Sequence, residues 1–227
     1  MAVRILLVCI AVFNFTCRAA RAQDDFAIEP RMNVNVGGII SAPLNPSARF
    51  VNVGWGMTFG GGYNFSWSHS LVGEFMWNKL YPTAGAVDPI KSTFQNPSIA
   101  AYTNLFALTA NYRYEPHGRL HSMYFIGGGG WYHRNATVKQ HPSIGSGVPC
   151  EPAWLWWGYS CNSGVVVAGL APPRYTSNTL GVNGGFGFTF PLHEERGDRF
   201  YVETRYHYAP SRIFNTQVLD ITLGFRY

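Results

Sequence analysis

The chain has 227 residues, of which 16% are aromatic and only 13% are charged, and its formal net charge is +5 at pH 7. Three of its arginines lie within residues 1–22, which hold no acidic residue, so the rest of the chain carries a formal charge of only +2. Such a small excess gives no argument for a nucleic-acid partner.

Residues 1–22 have the three parts of a secretory signal peptide. Arg4 supplies the positive n-region, residues 5–13 form an apolar h-region, and Ala20-Arg21-Ala22 is a small-x-small cleavage site. The alternative of a membrane anchor is weaker, because the apolar run is about half of the roughly 20 residues that a spanning helix needs. We therefore predict export and a single mature domain over residues 23–227.

The mature chain alternates between apolar and polar residues with the period of a β-strand, most clearly from Val51 to Phe65. We predict eight strands, at residues 31–40, 51–65, 70–80, 103–114, 121–134, 176–190, 199–208 and 216–227. Three connections are short and polar, at residues 66–69, 115–120 and 191–198, whereas 81–102 and 135–175 are much longer than ordinary hairpin loops. Ten strands is the main alternative, because residues 135–175 could contain two more.

Aromatic residues gather at both ends of the predicted strands, as they do at the two surfaces of a membrane. One girdle contains Tyr63, Phe65, Tyr112, Tyr114, Tyr124, Phe190, Phe200, Phe225 and Tyr227. The other contains Phe50, Trp77, Tyr81, Tyr132, Tyr206, Tyr208 and Phe214. A soluble β-sandwich would not need two such girdles, and short turns at one end with long loops at the other are typical of an outer-membrane barrel.

The last nine residues place Leu219, Ile221, Leu223, Phe225 and Tyr227 on one apolar strand face. This ending resembles the C-terminal signature of bacterial outer-membrane β-barrels. In those proteins the barrel assembly machinery reads a terminal aromatic residue and the alternating apolar residues before it. By this resemblance, Leu223, Phe225 and Tyr227 are the assembly signal.

The signal peptide, the eight-strand pattern and the aromatic terminus together resemble the OmpA/OmpX-type small, porin-like barrels. The resemblance implies an all-β, antiparallel, up-and-down transmembrane barrel in the bacterial outer membrane. It also implies outer-membrane lipids and lipopolysaccharide as partners, and a non-enzymatic role in envelope structure or in surface interaction such as adhesion.

The alternation directs six charged side chains into the barrel. They are Glu74, Arg113, Glu203, Arg205, Asp220 and Arg226. A charge inside a narrow barrel must be paired or hydrated, so we predict a salt-bridge network that plugs the lumen, with Arg205 and Asp220 roughly opposite each other. The alternative is a gated proton or ion path, or a small-solute pore.

The segment Arg205–Ser211 is loosely similar to the catalytic region of lipid A deacylases. In that family a catalytic serine follows two residues after the histidine, but here that position is Ala209 and the serine is Ser211. His207 also shares the inward phase, and the pattern places no carboxylate beside it. We therefore predict that the protein is not an enzyme, and the sequence indicates no cofactor and no metal site.

The long segment 135–175 contains two cysteines, Cys150 and Cys161, and an exported pair of this kind predicts a disulfide. Between them lie Trp154, Trp156, Trp157 and Tyr159. A constrained aromatic loop suits binding to a protein, a glycan or lipopolysaccharide. The alternative is that these rings pack within the loop, and the pattern identifies no extracellular ligand.

Overall fold

A computed structural model describes residues 32–66, 68–93, 100–116, 122–139, 174–192, 198–211 and 215–227. Outside the described residues lie the predicted signal peptide, the predicted disulfide between Cys150 and Cys161, and the aromatic residues between those two cysteines. Phe214 of the predicted aromatic girdle also lies outside them.

The described chain folds into eight strands that close into one barrel, and each strand pairs antiparallel with the next until β8 returns to β1. The strands are β1 Met32–Pro43, β2 Val51–Ser66, β3 His69–Pro82, β4 Ala100–Tyr114, β5 Ser122–Lys139, β6 Arg174–Pro191, β7 Arg199–Ala209 and β8 Thr216–Arg226. The prediction of an eight-stranded antiparallel barrel is therefore confirmed. We call the end where β1 starts and β8 finishes the turn end, and the opposite end the loop end.

The register of the ladders sets the tilt of the strands. A path across opposed residues runs from Met32 through Tyr63, Leu71, Tyr112, Gly127, Gly184, Tyr206 and Leu219 to Ala42. It returns to β1 ten residues from its start. Eight strands with this stagger tilt by about 40° and enclose an interior that side chains can fill.

Several strands are longer than the sequence predicted, most of all β5, whose pairing with β4 continues to Lys139. The predicted limits followed the apolar alternation, which stops where both faces of a strand meet water. Backbone hydrogen bonds do not depend on that alternation, so the ladder continues beyond the apolar belt.

A helix, α1 Ala84–Thr93, lies in a segment that was predicted as a loop. Thr83 caps it, because its side-chain oxygen accepts a hydrogen bond from the backbone N–H of Ala86 at 3.3 Å. Ten residues that include Gly85 and Pro89 are too few to give a helical period in the sequence. Among the described helices, none is long and apolar enough to cross a membrane.

The two faces of the barrel wall differ in chemistry. Large apolar side chains face outward and are exposed around the whole wall, with Phe59 at 61% and Leu180 at 74% exposure as examples. The inner face is polar over most of its length and apolar near the loop end. The apolar part contains Ile39, Val51, Met76, Leu80, Leu105, Ala107, Tyr132, Ala136, Ala209 and Val218, with Phe50 packed against it.

Glycines on the inner face of β5 leave room for the backbone of the neighbouring strand β4. A Cβ atom on Gly130 would collide with the backbone oxygen of Leu108, and one on Gly128 with the backbone oxygen of Ala110. By contrast, a Cβ atom on the outward Gly127 would meet nothing closer than 3.6 Å. The inner glycines of β5 are therefore needed for space.

Candidate functional site

The closed lumen holds a chain of buried ion pairs centred on Arg205. One guanidinium nitrogen of Arg205 pairs with Glu74, and the other lies 2.5 Å from a carboxylate oxygen of Glu203. Glu74 also accepts hydrogen bonds from the side-chain amides of Asn35 at 2.8 Å and Asn111 at 2.7 Å. These three charges come from β3 and β7, so the network joins opposite walls of the barrel.

Towards the turn end, aromatic rings and a second set of charges continue this network. The hydroxyl of Tyr124 donates to Glu203 at 2.9 Å. The guanidinium of Arg226 lies 4.9 Å from the ring centre of Tyr124 and 5.4 Å from that of Tyr201, which is cation–π geometry. Arg226 also lies 3.6 Å from Glu115, near the turn end of the lumen.

Glu115 has a second ion-pair partner at the turn end, because Arg199 lies 2.7 Å from its carboxylate. The sequence placed Glu115 in a turn and made no prediction for it. The sequence did contain a signal for it: Glu115 lies two residues after Arg113 of β4, so the two share the inward phase.

Towards the loop end, His207 links two walls of the lumen. Its Nδ1 shares a hydrogen bond of 2.9 Å with the hydroxyl of Tyr132, and its Nε2 lies 3.5 Å from Asp220. A neutral imidazole with its proton on Nε2 satisfies both contacts, because Nδ1 then accepts from the Tyr132 hydroxyl and Nε2–H faces the carboxylate. The same oxygen of Asp220 accepts from the amide of Asn78 at 3.0 Å.

The space left in the centre of the lumen is small. Glu74, Glu203, Arg205, His207 and Asp220 contribute to the lining of a cavity of about 10 Å³. A cavity of this size holds about one water molecule. The cavity can therefore hydrate a few buried polar atoms, and the described side chains around it fill this part of the lumen.

The structure buries all six charged residues that the sequence directed inward, namely Glu74, Arg113, Glu203, Arg205, Asp220 and Arg226. Arg205 and Asp220 are directly opposed in the β7–β8 ladder. Arg205 nevertheless makes its ion pairs with Glu74 and Glu203. A long side chain crosses a narrow lumen as easily as it reaches its ladder neighbour, so register alone did not identify its partners.

Arg134 is a further buried charge, which the sequence did not assign to the lumen. It is fully buried near the loop end and donates to Thr216 at 2.7 Å and to Ser177 at 3.3 Å. Residues 127–130 are all glycine and hide the facing of β5, so the direction of Arg134 could not be read from the pattern.

The same run of glycines made part of the aromatic girdle prediction wrong. Tyr124 and Tyr132 lie inside the lumen, fully buried, whereas Phe125 and Trp131 take the outward positions on β5. Phe50 is also misassigned, because it packs on the apolar part of the lumen. The other predicted girdle residues with described positions lie outside the lumen, on the lipid side of the wall.

The structure corrects one part of the comparison with lipid A deacylases. Asp220 does lie beside His207, although the sequence pattern placed no carboxylate there. The histidine is buried in the lumen and its other ring nitrogen contacts Tyr132. Ala209 is buried at the position where that family has its serine, so His207 does not have a serine at that position.

The sequence matches no family model and no curated protein. Solved structures do match. Neisserial surface protein A is 12% identical with a TM-score of 0.52 over 87% of this chain and 96% of its own. A major outer membrane protein from Thermus thermophilus is 10% identical with a TM-score of 0.53, over 86% and 98%. At these identities the similarity shows the fold alone.

The fold and the exposed apolar belt together define the class of this protein: a small, eight-stranded β-barrel of the outer-membrane type. The closed ladder and its apolar outer belt make the chain an integral membrane barrel whose strands provide the spanning elements. A closed ladder leaves no unpaired sheet edge in the hydrocarbon, which is why this architecture can span a membrane.

Proposed function

We propose that this chain is a non-enzymatic protein of the bacterial outer membrane that contributes to the envelope and presents its loop end at the cell surface. The observation that carries this proposal is the filled lumen: paired charges at its centre, an apolar cluster at its loop end and a central cavity of about 10 Å³. A barrel filled in this way supports a structural role more strongly than a transport role.

Planar-bilayer recording tests the closed lumen against the small-solute pore. We expect no stable conductance steps from the folded protein at ordinary voltages. The double variant Arg205→Ala/Arg226→Ala removes two buried side chains and serves as the comparison, because shortening them opens space across the lumen. Reproducible single-channel steps from the wild-type barrel would refute the proposal in favour of a pore.

Heat-modifiable gel migration of the outer-membrane fraction tests location and folding together. We expect a compact band that shifts after boiling, as the stability of a closed barrel requires. Absence of the protein from that fraction would contradict the outer-membrane assignment. The proposed partners during biogenesis are the barrel assembly machinery and, in the mature state, outer-membrane lipids including lipopolysaccharide.

The surface role rests on sequence, since the residues from Cys150 to Cys161 lie outside the described part of the chain. Replacing Trp154, Trp156 and Trp157 by Ala should reduce whole-cell adhesion if the aromatic segment contacts a ligand. Unchanged adhesion would remove this segment from the proposal and leave the envelope role. Mass spectrometry of lipid A from cells with and without the protein tests the enzymatic alternative, and we expect identical spectra.

A further inference from the structure

Lys79 is exceptional among the described charged side chains of the strands. It lies on β3 in the outward phase with Phe75 and Tyr81, near the loop end, whereas the other strand Asp, Glu, Lys and Arg with described side chains lie in the inward phase. A Lys on the lipid face costs about 2–4 kcal/mol at the membrane midplane and about 0–1 kcal/mol near an interface. Its position therefore corresponds to the level of lipid headgroups.

Two aromatic rings lie near the Lys79 ammonium. Its Nζ lies 5.7 Å from the ring centre of Tyr81 and 5.5 Å from that of Tyr102. The indole N–H of Trp55 donates to the hydroxyl of Tyr81 at 3.3 Å and steadies that ring. The ion pairs found among the described residues do not include Lys79, so its positive charge is available to an anion.

A row of polar side chains extends from Lys79 across the next three strands on the same outward face. Lys79 opposes Asn104 on β4, and His133 on β5 opposes Asn178 on β6. We call these four residues the headgroup row. The two pairs are offset by two residues along the β4–β5 ladder, where Asn104 opposes Asn135. Neighbouring strands are about 4.8 Å apart, so the row is roughly 14 Å wide, which exceeds a single phosphate group and suits a headgroup of two or more sugars.

The hydrogen bonds within the headgroup row leave donors available. The indole N–H of Trp77 donates to the amide oxygen of Asn104 at 3.1 Å, and Nδ1 of His133 lies 2.7 Å from the amide oxygen of Asn178. Both amide oxygens are therefore engaged, and the two amide NH₂ groups can donate to phosphate or hydroxyl oxygens. His133 also stacks on Trp131 with ring centres 5.4 Å apart, which holds the imidazole in place.

We propose that Lys79, Asn104, His133 and Asn178 bind the phosphorylated sugar headgroup of a glycolipid in the leaflet at the loop end. Lys79 provides the charge for a phosphate, the amides bind sugar or phosphate oxygens, and Trp55, Trp77 and Trp131 contact the upper parts of the acyl chains. This inference rests on the proposed outer-membrane function and specifies the lipid partner and its site.

Native mass spectrometry of the full-length barrel in detergent micelles tests the site. The probes are a bis-phosphorylated diglucosamine lipid, the same lipid without phosphates, phosphatidylglycerol and inorganic phosphate. We expect the wild type to prefer the phosphorylated glycolipid over its dephosphorylated form by about fivefold, the factor of one lysine–anion attraction at a membrane surface. Lys79→Gln should lose that preference and Lys79→Arg should retain it.

Lys91→Gln is the matched control, because Lys91 lies on α1 and pairs with Asp88 at 3.9 Å outside the row. It should bind like the wild type, whereas Asn104→Ala should weaken both glycolipids. Equal binding of the two glycolipids by the wild type would overturn the proposal even if Lys79→Gln failed to fold. So would equal affinity for phosphatidylglycerol, or displacement of the glycolipid by equimolar inorganic phosphate.

The test separates this inference from the proposed function. Insertion into lipid vesicles and heat-modifiable migration report on the barrel itself and do not depend on the headgroup row. A barrel that inserts but does not discriminate among the lipids overturns only the site. A chain that fails to insert overturns the proposed function.

Discussion

Replacing Arg205 by Met should destabilise the barrel strongly. The change keeps most of the side-chain volume but removes the cation that lies between Glu74 and Glu203, both no more than 5% exposed. Two like charges would then share a closed lumen. Breaking a buried ion pair by removing one partner costs about 3–5 kcal/mol, since it leaves an uncompensated charge.

The structure indicates that the cost of Arg205→Met lies at the lower end of that range. Glu74 would keep its bonds from Asn35 and Asn111, and Glu203 would keep its bond from Tyr124. These donors partly offset the loss, so we expect a decrease in the free energy of unfolding of about 3 kcal/mol. With a urea dependence of about 2 kcal/mol per molar, the unfolding midpoint should fall by roughly 1.5 M.

Urea unfolding of the barrel in detergent micelles, followed by tryptophan fluorescence, measures this shift. Lys91→Met is the control, because it breaks an exposed pair at 3.9 Å and should change the unfolding free energy by less than about 1 kcal/mol. The variant Glu74→Gln/Arg205→Met removes one of the repelling charges and should recover part of the loss. If Arg205→Met unfolds at the same urea concentration as Lys91→Met, the ion-pair network does not stabilise the barrel.

Four further predictions concern individual parts of the barrel. Gly130→Ala should destabilise it by about 2 kcal/mol because its Cβ meets backbone, whereas Gly127→Ala should have little effect; equal urea midpoints would contradict this. Tyr124→Phe should cost about 1–2 kcal/mol of unfolding free energy by removing the hydrogen bond to Glu203, and an unchanged midpoint would count against it. Ile221→Arg, at the centre of β8 on the lipid face, should cost about 2–4 kcal/mol in vesicle unfolding, and Gln217→Arg near the loop end no more than about 1 kcal/mol. Phe225→Ala with Tyr227→Ala should lower the amount of folded barrel in cells by western blot but leave in-vitro refolding largely intact, and equal cellular amounts would argue against an assembly signal.

Strand number and most strand facings could be predicted from the alternation, because a wall between lipid and a polar interior requires opposite chemistry on successive residues. β8 illustrates this: Asp220 and Arg226 face inward and Leu223 and Phe225 outward, as their phase indicates. The alternation failed where glycine replaced it, so Tyr124, Tyr132 and Arg134 on β5 could not be assigned to the lumen from the sequence.

The identity of ion-pair partners could not be predicted either. Arg205 and Glu203 are adjacent in phase on one strand, and Glu74 lies on a strand that is distant around the barrel. Their contact depends on the stagger and diameter of the closed barrel, which no local pattern specifies. The headgroup row is similar, because Lys79, Asn104, His133 and Asn178 belong to four strands. The ladder register opposes them as two pairs, offset by two residues between β4 and β5.

The sequence by itself determined that the chain alternates with period two, and from that its eight strands and six of its inward charges. Only the tertiary structure decided what those charges bind, how little space the lumen retains and which polar residues meet on the lipid face. The physical reason is that side-chain direction along a strand is a local property of the extended backbone. Distance across a barrel depends on strand number and stagger, which exist only once the last strand has paired with the first.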